Sequence, residues 1–398
     1  MPLDPLRNPF APGAGYPPPE LAGRGNLIQR AELTLARIKE GRPSKGLLLV
    51  GLRGVGKTVL LNRIDRAADT FGYQSVMVEC VDEKRLEALL IPALRSILFK
   101  LDRMEGLNEK VKLGIRVLQG FLSKVKLKYQ DIEFSLDVAP ETGVADSGDL
   151  ETDLPELIKA IGVAAQSRGV PVALLFDEMQ YLDRKELSAL IMAMHKVAQN
   201  QLPITLFGAG LPPLIGRMGN SKSYAERLFD YPRVEPLDRK AVQEAIELPA
   251  EKEKAFVERR AIDHISNITQ GYPYFVQQWA YDAWNCARGK SIDLRAAQNA
   301  DSASRKNLDE GFFSVRFDRL TQGEKNYLRA MAYFSSPIVK TNKVAAALGL
   351  SAQSANSVRS SLLSKGMVYS PSLGDVAFTV PMFDQYMRRK IQDWTPKG

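Results

Sequence analysis

A short apolar run, Gly46-Leu-Leu-Leu-Val50, opens directly onto Gly51-Leu-Arg-Gly-Val-Gly-Lys-Thr58, and a helical pattern follows over Thr58–Phe71. No other stretch restricts the fold as much. A continuous apolar run of this length is the pattern of a strand buried on both faces of a parallel sheet. Glycines at 51, 54 and 56 let the backbone wrap tightly with its N–H groups pointing inward, a shape that suits a chain of phosphates. The helix that follows aims its positive end at the same place. This G-x-x-x-x-G-K-[ST] spacing, set between strand and helix, implies a nucleoside triphosphate site with ATP as its ligand. The candidate binding segment is Gly51, Leu52, Arg53, Gly54, Val55, Gly56, Lys57, Thr58 and Val59. Lys57 brings a point charge to the β and γ oxygens, and the Thr58 hydroxyl is a ligand for Mg2+.

A second apolar run, Ala173-Leu-Leu-Phe176, leads straight into Asp177-Glu178. Carboxylates at the end of a parallel strand lie in the crevice where such sheets bind ligands. Asp177 is placed to hold Mg2+ through water, and Glu178 to polarise an attacking water as the general base of hydrolysis. A small-molecule kinase has less need of that second acid, so the pair favours an ATPase. Two solvated acids capping the next helix are the bland alternative.

Around these motifs, apolar runs at Ser75–Cys80, Val172–Phe176 and Pro203–Phe207, with Arg233–Glu235 as a short fifth strand, alternate with helical patterns. That rhythm specifies an α/β domain with a five-stranded parallel sheet. The Pro-rich residues 1–20 read as an irregular arm. The nucleotide-binding domain spans 21–237, interrupted by an alternating hairpin pattern over 124–137 and a Gly/Ser/Asp-rich loop to 151. Residues 238–320 read as a small helical bundle, or lid.

In the last unit, 321–398, helices are expected at Gln322–Phe334, Lys343–Leu348 and Ser351–Lys365. Strand-like pieces Met367–Tyr369 and Val376–Thr379 follow, flanking a turn. Three helices, the last two tightly joined, and then a hairpin are the pattern of a winged helix-turn-helix. Gln353, Ser354, Asn356, Ser357 and Arg359 fall on its polar faces, side chains suited to a DNA major groove. Ten Lys/Arg against four acids give this block +6 of the chain's net +8, a non-specific attraction for double-stranded DNA. The turn Ser370–Asp375 carries no Lys or Arg, which suits a protein-interaction module instead.

The phosphate loop, Leu174–Glu178 and the helical segment after them resemble the AAA+ ATPases. The variety they look most like is the archaeal-type group with a C-terminal winged helix, related to the origin-recognition initiators. Gly23-Arg24-Gly25-Asn26-Leu27 is similar to that family's segment near adenine, and Gly271-Tyr-Pro-Tyr-Phe275 to its lid. The resemblance implies a sensor side chain at the end of the fourth strand and an Arg in the lid. Phe207-Gly-Ala-Gly210 offers no sensor, with Thr205 the nearest candidate, and Gly271-Tyr272-Pro273 has no Arg. Both departures suggest slow hydrolysis, or nucleotide used as a switch. The resemblance also implies an arginine finger contributed to a neighbouring subunit of a homo-oligomer. Arg227 is the first candidate, with Arg217 and Arg233 behind it.

Composition excludes several classes. Of 398 residues, 45% are hydrophobic and 25% charged, with two Cys and two His. A disulfide framework or a Cys/His metal centre is therefore not expected. The apolar runs fall far short of the roughly 18 residues of a membrane span, and Met1-Pro2-Leu3-Asp4 lacks a signal-peptide pattern. A cytoplasmic protein without membrane partners is the expectation. Trp279 and Trp284 lie on an apolar helical stripe and read as core.

Overall fold

The computed structural model describes residues 3–13, 17–124 and 139–397, which fall into two compact units. The unit of Asn26–Val50 and Lys57–Arg233 is built on five parallel strands. In chain order its elements are α1 (Gly25–Lys39), β1 (Gly46–Val50), α2 (Lys57–Thr70), β2 (Gln74–Glu79), α3 (Leu86–Asp102), α4 (Glu109–Lys124), α5 (Leu150–Arg168) and β3 (Val172–Asp177). Then come α6 (Arg184–Gln199), β4 (Ile204–Gly210), α7 (Leu214–Ser221), α8 (Ala225–Leu228) and β5 (Phe229–Asp230).

The strand order is β2-β3-β4-β1-β5. Val50 of β1 pairs with Gly210 of β4, and Phe176 of β3 with Gly208 of β4, so the carboxyl ends of the three central strands share one edge. Those strands are buried along their whole length, as their unbroken apolar runs require. Leu94, Ile97, Leu98, Leu157, Ile161 and Leu190 pack among the core side chains around them.

Three expectations need correction here. The fifth strand is Phe229–Asp230 rather than Arg233–Glu235; Arg233 makes only a single bridge to Val50. Each candidate offers one apolar residue, and β1 settles the register by pairing Gly46 and Leu47 with Phe229 and Asp230. Helix α4 had no counterpart in the sequence reading, although Val111, Ile115, Leu118 and Phe121 form a helical buried stripe. The expected loop to residue 151 gives way to α5 at Leu150, capped by Asp149. Just inside α5, buried Asp153 accepts from the Ser147 and Gly148 amides at 3.1 and 2.8 Å and fixes the approach. The hairpin expected over 124–137 lies, beyond Lys124, outside the described residues.

The second unit holds Met1–Gly25, Gly51–Gly56 and Val234–Gly398. Its helical part comprises α9 (Arg239–Lys252), β6 (Phe256–Val257), α10 (Arg259–Thr269), α11 (Pro273–Cys286), β7 (Ser291–Ile292) and α12 (Leu294–Asn307). A π-helical turn, Leu308–Phe313, joins α12 to α13 (Ser314–Asp318). Residues 238–317 are not helical throughout, since β6 and β7 pair in parallel. Trp279 and Trp284 are buried as expected.

Next come α14 (Gln322–Tyr333), β8 (Ile338–Lys340), α15 (Thr341–Leu348), α16 (Ala352–Ser364), β9 (Val368–Tyr369), β10 (Asp375–Phe378) and α17 (Phe383–Lys390). The three helices and the hairpin lie where the sequence places them. A third strand, β8, completes an antiparallel sheet in the order β8-β10-β9. Its three residues are too few to show a period. Glu324 is buried in α14. Burial would raise its pKa, but Lys365, the Ser361 hydroxyl and the Thr321 amide outweigh that and hold it at about 2.

Candidate active site

Lys57 and Thr58 open α2, and Asp177 closes β3. The Thr58 hydroxyl donates to Asp177 Oδ2 at 2.5 Å. Asp177 is buried, and that burial raises its pKa with help from the neighbouring Glu178 charge. The Thr58 hydroxyl, the Glu178 amide and Lys57 oppose the rise. Lys57 is itself buried.

Glu178 adopts a left-handed backbone, φ +53°, as the chain turns out of β3, and its N–H donates to Asp177 Oδ1 at 2.8 Å. A non-glycine residue in this region stores on the order of 1 kcal/mol and persists only where its surroundings enforce it. Arg217 of α7 holds the residues that follow Glu178. Its guanidinium donates to the carbonyls of Gln180 and Leu182, bracing the turn that carries Glu178. Burial lowers the Arg217 pKa, against the raising influence of Asp183 and Glu186. Arg217 is engaged within its own chain as a brace for this turn.

Gln180 joins two elements the sequence did not connect. Its amide nitrogen donates to Glu178 Oε2, while its Oε1 accepts from the Leu211 N–H at 3.0 Å. Leu211 directly follows β4, where a sensor side chain was expected. Thr205 does not fill that role. It pairs with Ala173 near the start of β3, at the opposite end of the sheet from Asp177, and lines a cavity with Gly46, Pro171 and Phe229. Arg227 and Arg233 are exposed, on α8 and just beyond β5.

In the second unit, the loop Gly51–Gly56 has φ +79° at Gly54 and +92° at Gly56, conformations that strain any other residue. Buried Gly51 leaves no room for a Cβ beside the Val234 carbonyl. Arg24 is buried here, and its guanidinium donates to the carbonyls of Val55 at 3.1 Å and Glu235 at 2.6 Å. Burial lowers its pKa, opposed by Asp238. The sequence reading placed Arg24 near adenine but missed this clamp. The Arg53 N–H donates to the Thr379 carbonyl, just beyond β10, at 3.1 Å.

Residues 20–207 match the family of the AAA ATPase domain. The segment is similar to AAA ATPase domains. Residues 310–387 match a domain of unknown function, DUF8462. No curated protein matches. Among solved structures, the Walker-type ATPase PABY2304 of Pyrococcus abyssi is 15% identical with a TM-score of 0.52, covering 92% of this chain and 96% of that one. The Orc1 protein of Aeropyrum pernix, solved in complex with DNA, is 14% identical with a TM-score of 0.49, and the match covers 95% of each chain. The strand order, the glycine loop and the likeness to the Pyrococcus protein make the AAA-like domain an α/β P-loop NTPase fold.

Oxygen donors fit Mg2+ at Thr58 and Asp177. Among the described residues, no group of three or more His, Cys, Asp or Glu could hold a metal ion. Mg2+ held there would take its remaining ligands from phosphate and water. Also among the described residues, no helix is long and apolar enough to cross a membrane.

Proposed function

We propose that the protein binds MgATP at Gly51–Val59 and hydrolyses it slowly. The observation that carries this reading is the Thr58–Asp177 hydrogen bond, which pairs the two oxygen donors a phosphate-bound Mg2+ needs. Bound there, the ion neutralises charge developing on the phosphates. Lys57 orients the β and γ oxygens. Glu178 accepts the proton of a water that attacks the γ-phosphorus; a P–O bond forms as the bond to the β–γ bridging oxygen breaks, and ADP leaves. Calorimetry with magnesium and ATP tests binding: no heat from the intact chain refutes the reading.

We further propose that residues 238–320 act as a lid and 321–398 as a winged helix whose DNA binding follows the nucleotide state. The helix–strand–helix–helix–hairpin order supports the winged-helix reading. The Arg53–Thr379 hydrogen bond supports coupling, since it ties the phosphate loop to the C-terminal sheet. Exposed Gln353, Ser354, Asn356 and Ser357 on α16 offer base-reading and phosphate-positioning groups. Duplex binding measured against salt, with and without ATP, tests this; no binding at low salt refutes it.

A second reading has its own observation. Arg359 turns toward the hairpin and donates to Ser370 instead of facing outward, while Lys340, Lys365, Arg388 and Arg389 pair with Asp375, Glu324, Asp384 and Asp309. Such pairing leaves the α16 face polar but uncharged, which suits a nucleotide switch that recruits a protein. Retained nucleotide, negligible turnover and indifference to DNA would favour it. Grouping with the origin-recognition initiators, an Arg227 finger within a homo-oligomer and a cytoplasmic location belong to the same proposal.

A further inference from the structure

Glu178 must hold its carboxylate toward one water, so the contacts that orient that carboxylate bear on the reaction. Gln180 spans Glu178 Oε2 on one side, through its amide N–H, and the Leu211 N–H on the other, through its Oε1. Gly210, immediately before Leu211, has no space for a side chain: a Cβ there would meet Leu214 at 2.7 Å and Gln180 Oε1 at 3.2 Å. The glycine thus keeps the end of β4 bare, so that the Gln180 amide can reach the backbone.

We propose that Gln180 is a positioning residue that takes over the task of the missing sensor, linking the end of β4 to the Glu178 carboxylate through a backbone amide. This inference rests on the hydrolytic reading above. A neutral amide suits the task. Its N–H directs one oxygen of the Glu178 carboxylate without adding a charge next to the phosphates. Its oxygen accepts a main-chain bond that no substitution at 211 other than proline removes. Arg217, by holding the Gln180 and Leu182 carbonyls, fixes the turn from which the tether starts.

The test is steady-state ATP turnover and nucleotide binding by the full chain and two variants. Gln180→Leu keeps the bulk and loses both bonds. Gln180→Glu keeps an acceptor for the Leu211 N–H but sets a second carboxylate against Glu178. We expect Gln180→Leu to lower kcat about tenfold or more with KM changed less than about threefold, and to add no further loss to Glu178→Gln. Gln180→Glu should lower kcat in the same way with KM again changed less than about threefold, because its carboxylate cannot donate to Glu178 Oε2. The second variant carries the test if the first does not fold. Wild-type kcat in Gln180→Leu or in Gln180→Glu overturns the tether while leaving the hydrolytic reading intact. An intact chain that binds ATP without any turnover overturns both.

Discussion

The Thr58 hydroxyl and the Asp177 carboxylate, which come from different elements, lie 2.5 Å apart as donor and acceptor. Because burial raises the Asp177 pKa, the folded chain binds a proton more readily than the unfolded one, and stability falls as pH rises through that window. Charging Asp177 costs stability, and on the MgATP reading proposed above that cost is carried for the metal. Asp177→Asn should therefore stabilise the nucleotide-free protein by about 1 kcal/mol near neutral pH while abolishing magnesium-dependent nucleotide affinity. Thermal melts across pH, with and without MgATP, check it; the apo difference should shrink in acid.

Lys57→Ala should abolish nucleotide binding, whereas Glu178→Gln should keep binding and lower turnover by about a hundredfold or more. Undiminished turnover in Glu178→Gln would show that another group accepts the proton. Fluorescent-nucleotide titration and phosphate release separate the two effects.

Arg24→Ala should loosen the phosphate loop and weaken nucleotide binding about tenfold, since two carbonyls lose a charged donor. Lys at this position should not restore it, because an ammonium lacks the planar fork. Calorimetric titration of the three proteins gives the answer.

Glu324→Gln should cost about 2 kcal/mol at pH 7, since the depressed pKa of about 2 makes the ionised form the stabilising one. That stabilisation is complete above the ordinary carboxylate pKa and lost as pH falls toward 2. Wild-type and variant melts should converge over that range.

If Arg227 acts on a neighbouring subunit, mixing Arg227→Ala with Lys57→Ala protein should restore part of the ATPase activity lost in each alone. Absence of any recovery in mixtures would assign Arg227 to the surface.

The glycine loop, Lys57, Thr58, Asp177 and Glu178 stand out in the sequence because the chemistry proposed for them depends on residue type at fixed local spacing, and the structure brings Thr58 against Asp177. Arg24 and Gln180 do not stand out, because their partners are main-chain atoms of Val55, Glu235 and Leu211. A carbonyl or amide carries no side-chain signature, so nothing in the sequence marks it as a partner. Thr205 failed as a sensor for a related reason: its type was suitable, but strand register puts it at the wrong end of β4. Short strands such as β5 and β8 were misplaced or missed because pairing decides them, and two or three residues show no period.

The bond from the Arg53 amide to the Thr379 carbonyl also has a consequence during biosynthesis. A ribosome finishes the glycine loop long before it reaches Thr379. The nascent chain must hold that loop without this restraint until β10 has been made, and a product halted before β10 would never acquire it.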